Sequence, residues 1–136
     1  MITRTERNTT LACLEFAREA GAQKARITLN KSTEDLIATL DGEVDKVTRC
    51  ADRSLSIALF VDGRYGSFSV NKMEPDALRD FIFKAAETVR MLAPDACRTL
   101  PEPERCCKTA LEGTEMDIYD AAREAVSPDE RREAAL

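Results

Sequence analysis

Residues 33–70 read TEDLIATLDGEVDKVTRCADRSLSIALFVDGRYGSFSV and contain two Asp-Gly pairs, Asp41-Gly42 and Asp62-Gly63, each between strand-forming segments. A two-residue hairpin loop requires a positive φ at both central positions, which aspartate tolerates and glycine adopts without strain. Each pair therefore predicts a β-hairpin, and the two together predict an antiparallel meander.

The alternation of apolar and polar residues predicts about five strands. They are Ala25–Lys31, Glu34–Leu40, Glu43–Cys50, a strand with Leu55, Ile57, Leu59 and Val61 facing inward, and Arg64–Val70, in which Phe68 and Val70 face inward. Because Val44 and Val47 are three residues apart, a straight strand cannot place both on the core face. We expect a bulge near Asp45-Lys46.

Two helices are predicted to flank the meander. The first, about Thr5–Ala20, has a helical apolar stripe and is followed by Gly21, a residue typical of the position after a helix end. The second, about Pro75–Leu92, has the clearest helical period in the chain and begins with proline, which suits a first helical turn. Helix, strands and helix predict an α+β fold with both helices on one face of the sheet.

The character of the chain changes after Ala93, where proline, glutamate and small residues predominate without a sustained period. We expect an extended surface segment, a short helix within Asp117–Val126, and a last helix that begins at Ser127 with a capping box. The sequence thus divides into an α+β domain at residues 1–95 and an irregular, acidic linker with short helices at residues 96–136.

Length and cysteine content limit the classes of protein to which this chain can belong. A chain of 136 residues fits one domain with its own core. The five cysteines are odd in number, lack CxxC spacing and follow no secretory signal. No segment approaches the roughly 18 apolar residues of a membrane span. We expect a soluble, cytoplasmic protein without membrane contact.

The charge distribution argues against nucleic-acid binding. The net charge is −5, acids and bases balance up to Leu100, and the whole acidic excess follows Pro101. Binding to phosphates requires clustered lysine and arginine, and the sequence has no basic stripe. We expect no direct contact with nucleic acid.

The chain contains no histidine. Histidine-based zinc sites, Ser-His-Asp triads and Cys-His dyads need an imidazole as ligand or base, so this chain alone cannot form them. A small enzyme that uses only aspartate and glutamate side chains stays open as a hypothesis, and it would need a deep pocket.

Two further patterns have simpler interpretations than a reactive site. The three carboxylates at every second position from Asp41 to Asp45 could ligate a hard cation, but a turn and a solvated strand face explain them better, and we predict no metal site. Cys106-Cys107 could be a redox pair, but adjacent cysteines form a disulfide only with strain, so two free thiols are the preferred interpretation. Cys13 lies on the helix stripe and is predicted to be in the core.

The candidate contact residues are Arg53, Arg64 and Tyr65, near the second hairpin. Loops on a rigid scaffold often carry binding residues, so these side chains are candidates for contact with a partner or a peptide. A purely solvated connection is the alternative. No residue pattern resembles a nucleophile with its base, and we predict no catalytic residue.

An ordered set of motifs resembles the N-terminal domain of the TldD/PmbA family. It comprises the run DGEVDKVTRCADRSLSIALFVDGRYGSFSV from Asp41, the helix start MEPDAL from Met73, APD from Ala93 and VSPDE from Val126. The late VSPDE motif is more similar to the PmbA (TldE) branch. Ser56 and Glu74 depart from the family pattern, which usually has glycine and a serine cap there, and the second departure predicts a weak helix start.

The resemblance implies the N-terminal domain of a subunit of a cytosolic zinc metalloprotease that cleaves unfolded peptides between TldD-like and PmbA-like subunits, with a C-terminal domain after residue 136. It implies a TldD-like partner, a homo-oligomer, or both. Zinc would be held by the TldD-like subunit, and this chain would supply no cofactor ligand and no catalytic residue. The alternative is a stand-alone interaction module, for instance a modulator of gyrase or of a toxin-antitoxin system.

Overall fold

The structure is a computed structural model that describes residues 2–107, 109 and 113–136. Its elements are α1 (Arg4–Glu19), β1 (Lys24–Leu40), β2 (Glu43–Val61), β3 (Arg64–Val70), α2 (Pro75–Arg90), a 3-10 turn (Pro103–Arg105), α3 (Ala122–Ala125) and α4 (Pro128–Ala135). The three strands form one antiparallel sheet in the order β1-β2-β3. The predicted α+β class is confirmed.

The sheet has three strands where the sequence predicted about five. The expected breaks near Ser32 and at Ala51–Arg53 are absent, because β1 and β2 are continuous through them. The polar residues at these points are exposed. A paired strand needs its neighbour's backbone hydrogen bonds and not an apolar face, so exposed polar residues do not end it.

Both predicted hairpin turns are present. Asp41 and Gly42 have φ values of 52° and 78°, and Asp62 and Gly63 have φ values of 50° and 74°. These left-handed pairs connect β1 to β2 and β2 to β3 directly. The predicted strand Arg64–Val70 is confirmed as β3, in which Arg64 pairs with Val61.

The pairing of β1 with β2 requires a bulge, in which one strand has one residue more than the other. Leu40 and Glu43 flank a two-residue turn, so even-numbered residues of β1 share a face with odd-numbered residues of β2 near this turn. In the core, however, odd-numbered residues of both strands, such as Ile27 and Leu55, share a face. A bulge between these regions reconciles the two patterns. Its location near Asp45-Lys46 stays a prediction.

The core lies on one face of the sheet, beneath both helices. Its largest fully buried side chains are Leu55, Ile57, Leu59 and Val61 from β2, Leu78, Ile82 and Val89 from α2, and Cys13 from α1. The inward strand residues, the α2 stripe and the core position of Cys13 are therefore confirmed. The partly buried Phe68 and Val70 pack against this cluster.

The helix ends follow local sequence signals. Thr3 caps α1 in a reciprocal capping box with Glu6. At the other end, Gly21 has a φ of 86°, and Nη2 of Arg90 in α2 donates to the carbonyl oxygen of Ala20 at 2.7 Å. Helix α2 begins at Pro75 after Glu74, whose side chain makes no capping hydrogen bond. The side-chain cap expected to be missing at Glu74 is absent, and the weaker helix start that follows from it stays a prediction.

The chain forms two compact units. The first comprises residues 1–32 and 52–101, and it contains every buried apolar residue of the described chain. The second comprises residues 33–51 and 102–136. In the second, Ser127 starts α4 with the predicted capping box. None of the helices among the described residues is long and apolar enough to cross a bilayer.

Candidate functional site

The second hairpin presents the two neighbouring candidate residues, Arg64 and Tyr65. Nε of Arg64 donates to the carbonyl oxygen of Leu92 at 2.8 Å, and Nη1 donates to that of Asp62 at 2.9 Å. Tyr65 is half-buried, and the guanidinium of Arg98 lies over its ring at 5.1 Å from the centroid. Both side chains therefore contact the segment that follows α2.

This segment, residues 92–100, is called the return segment below. The backbone N–H of Asp95 donates to the carbonyl oxygen of Gly63 at 3.3 Å. Nζ of Lys24, at the start of β1, lies 3.3 Å from the carbonyl oxygen of Leu100, whose side chain is buried. The hairpin surface thus binds a peptide segment, and that segment belongs to the same chain.

Arg53 is far from the other two candidates. Val61 pairs with Arg64 across the hairpin, and Arg53 lies eight residues earlier on β2. At about 3.3 Å per strand residue, the separation along the strand is roughly 26 Å. The structure therefore does not bring Arg53, Arg64 and Tyr65 together in one surface.

Arg53 instead joins a charged cluster around Glu6. Nη1 of Arg53 and Nζ of Lys31 each lie 3.1 Å from Oε1 of Glu6, and the N–H of Thr3 donates to Oε2 at 2.8 Å. The hydrogen bond from the Thr3 backbone, followed by those from Arg53 and Lys31, lowers the pKa of Glu6 from 4.5 to about 2. This carboxylate connects the start of α1 to β1 and β2.

A second charged cluster lies in the second unit. Asp35 of β1 forms ion pairs with Arg49 of β2 at 3.3 Å and with Arg131 of α4. Nη2 of Arg131 also donates to the carbonyl oxygen of Arg123, and Nε donates to that of Val126. A groove of about 390 Å³ beside this cluster is open to solvent. Arg131 therefore holds α3 and α4 against the hairpin strands of this unit.

Within residues 2–107, 109 and 113–136, no three cysteine, aspartate or glutamate side chains are grouped as metal ligands would be. No charged or polar side chain of that part is buried. All five cysteines have free thiols, and Cys13 alone is buried, which raises its thiol pKa. The hypothesis of a small enzyme that uses only carboxylates needs a deep pocket, and the groove beside Asp35 is open to solvent.

Sequence reasoning missed several of these contacts. Thr3 and Glu6 have the spacing of a capping box, so that local role of Glu6 could have been found. The ion pair between Asp35 and Arg131 joins residues 96 positions apart and leaves no local signal. The same holds for the contact of Arg98 with Tyr65.

Comparison with known proteins agrees with the resemblance seen in the sequence. No family model matches the chain. The chain is 30% identical over 111 residues to "Metalloprotease PmbA" of Escherichia coli O157:H7, which covers 82% of this chain and 24% of the relative. A crystal structure from Bacteroides thetaiotaomicron VPI-5482, named as a candidate modulator of DNA gyrase, superposes with a TM-score of 0.79 and 31% identity over 98% of this chain and 30% of that one. The chain belongs to the TldD/PmbA family.

Within the TldD/PmbA family, the chain corresponds to the N-terminal domain. The crystal structure of TldE from Thermococcus kodakarensis has the same fold, with a TM-score of 0.63 and 19% identity over 79% of this chain and 24% of that one. The chain thus spans about a quarter to a third of the length of these relatives.

Proposed function

We propose that this chain is the N-terminal domain of a PmbA (TldE)-like subunit in a TldD/PmbA-type zinc metalloprotease that degrades or processes unfolded peptides. The domain contributes scaffold and subunit contacts, and it contributes no catalytic residue. The observation that carries the proposal is the 30% identity to a metalloprotease PmbA over 82% of the chain. The assembly works in the cytoplasm, without membrane or nucleic-acid contact.

The donor set of this chain does not fit zinc. Catalytic zinc sites use three protein ligands, most often including histidine, and this chain has no histidine. The described residues also contain no group of three cysteine or acidic side chains that could replace it. The proposal therefore assigns no zinc ligand to this chain, and it assigns the zinc of the assembly to the TldD-like subunit.

The engaged cations of the first unit support a scaffold role. The guanidinium groups of Arg53 and Arg64 contact Glu6 and backbone carbonyls of the same chain. An arginine whose guanidinium already bonds to groups of its own chain is a poor candidate for proton transfer or substrate binding. The candidate contact with a partner or peptide through Arg53, Arg64 and Tyr65 stays a prediction.

The test uses the full-length protein together with the TldD-like protein of the same source. We expect the TldD-like protein and the pair to contain zinc, and only the pair to cleave an unfolded peptide. Removing zinc with a chelator should abolish cleavage, and returning zinc should restore it. A pair that binds no zinc and leaves the peptide intact would overturn the proposal.

A second candidate is a stand-alone module that modulates gyrase or a toxin-antitoxin system without proteolysis. It is favoured by the likeness, at 31% identity, to the protein named as a candidate modulator of DNA gyrase. The gyrase form of this candidate predicts that the chain alone changes the rate at which purified gyrase supercoils a plasmid. If the supercoiling rate is unchanged at a large excess of the chain, the gyrase version of this second candidate is wrong.

A further inference from the structure

The hairpin end of β1 and β2, residues 36–47, exposes apolar side chains. Leu36, Leu40 and Val47 have 43%, 63% and 64% of their surface accessible. A two-stranded ribbon without a hydrophobic face to bury is marginally stable in water. These side chains have no covering partner among the described residues of the second unit, none of which is buried.

The charge of this unit restricts what can cover them. It carries 15 aspartate and glutamate residues against 7 lysine and arginine residues, a net charge of −8. At the hairpin end, Asp41, Glu43 and Asp45 are exposed, and none of them forms an ion pair within the described part of the chain. Nucleic acid, an anionic membrane and the same surface of a second copy all carry negative charge, so each would be repelled.

We propose that the hairpin end, residues 36–47, docks into another protein subunit whose surface has an apolar pocket bordered by lysine or arginine. The inference rests on the proposed function, because it names the element that makes the subunit contact. Leu40 and Val47 provide the apolar area that is buried on binding. The three carboxylates orient the hairpin end against the basic border of the pocket and raise the association rate. The turn at Asp41-Gly42 joins the strands with only two residues, so docking has no long loop to order.

The test measures binding of the full-length protein to the TldD-like protein by sedimentation and titration calorimetry. The double substitution Leu40→Ser with Val47→Ser should weaken binding by at least about 30-fold, as expected for two buried contacts. The matched control is Leu11→Ser with Met91→Ser, because these side chains are similarly exposed in the first unit. Circular dichroism and thermal melts should show that both double variants stay folded.

A second variant tests the charges. Neutralising Asp41, Glu43 and Asp45 to their amides should slow association about tenfold at low salt and reduce the dependence of the rate on salt. Asparagine tolerates a positive φ, so the turn at position 41 is preserved. The control neutralises Asp80 and Glu87, which are exposed on α2.

The outcomes separate this inference from the proposed function. If the wild-type pair binds and cleaves peptide but the hairpin variants bind equally well, the inference is overturned and the proposed function stands. If the variants lose binding while the wild-type pair never cleaves, the inference stands and the protease role does not. If the wild-type pair does not bind at all, the inference is overturned. If the apolar double variant instead abolishes self-association of the chain, the occupant is a second copy and the proposal is wrong.

Discussion

A β-carbon added to Gly66 of β3 would lie 2.5 Å from Cγ2 of Val89 in α2. Gly66 is buried opposite Leu59, and its φ is not positive, so lack of space alone selects glycine. The helix α2 therefore lies on the sheet at a distance that excludes even a methyl group at this point.

We expect Gly66→Ala to lower the free energy of unfolding by about 2 kcal/mol, as is typical of an overpacked core. Urea denaturation checks this value. The Val89→Ala substitution should relieve the clash, so the double variant should be more stable than the sum of the two single effects by about 1 kcal/mol. Ser67→Ala, at the next and exposed position, is the control and should change stability by less than about 0.5 kcal/mol. Additive effects at positions 66 and 89 would contradict the close contact.

The Glu6 cluster predicts a pH dependence of stability. The pKa of Glu6 is lowered from 4.5 to about 2 in the folded protein. A lowered folded-state pKa stabilises the fold above the unfolded value, and this contribution is lost as the pH falls from about 4.5 towards 2. Wild-type protein should therefore exceed Glu6→Gln in stability most clearly near neutral pH, and the difference should shrink towards pH 2.

Urea denaturation between pH 7 and pH 2.5 measures this difference. Glu87→Gln removes a carboxylate without an ion pair in the described structure, and it controls for the loss of one negative charge. A difference between wild type and Glu6→Gln that stays constant over this range would show that Thr3, Arg53 and Lys31 do not hold the carboxylate as described.

The return segment offers a test of what Arg64 and Tyr65 do. Tyr65→Ala removes the ring beneath Arg98, and a cation–π contact contributes roughly 0.5–1 kcal/mol at an exposed site. Cleavage by trypsin after Arg98 should become at least about threefold faster, because the segment opens more often. Tyr65→Phe keeps the ring and should be cleaved at the wild-type rate. If alanine and phenylalanine behave alike, the ring does not hold the segment.

The five thiols should differ in reactivity. Cys13 is fully buried and its pKa is raised by burial, whereas the other four cysteines are exposed. When the native protein is treated with a thiol reagent at pH 8, four thiols should react rapidly, and the fifth should react only on unfolding. Cys13→Ala should leave the number of rapid thiols at four. Five rapid thiols in the native wild type would contradict the buried position.

Much of this fold follows from short-range sequence signals. The Asp-Gly pairs fix both turns, and the alternation at Leu55 to Val61 identifies the buried strand, because each depends on neighbouring residues only. Ser32 and Ala51–Arg53 misled the prediction, since exposed polar residues resemble a loop although the paired backbone continues. The sequence identifies Arg53 and Arg64 as candidate contact residues, but their partners Glu6 and Leu92 are distant in sequence and give no local signal.

The strand order β1-β2-β3 has a consequence for how the protein folds. Each strand pairs only with its neighbour in sequence, and each connection is two residues long, so the sheet can form through local contacts at small loss of chain entropy. The packing of α1 on α2 instead joins segments separated by the whole sheet. During synthesis, the meander can therefore assemble as its strands emerge, and α1 waits for α2 before the core closes. We expect the rate-limiting step of folding to be this docking of the two helices.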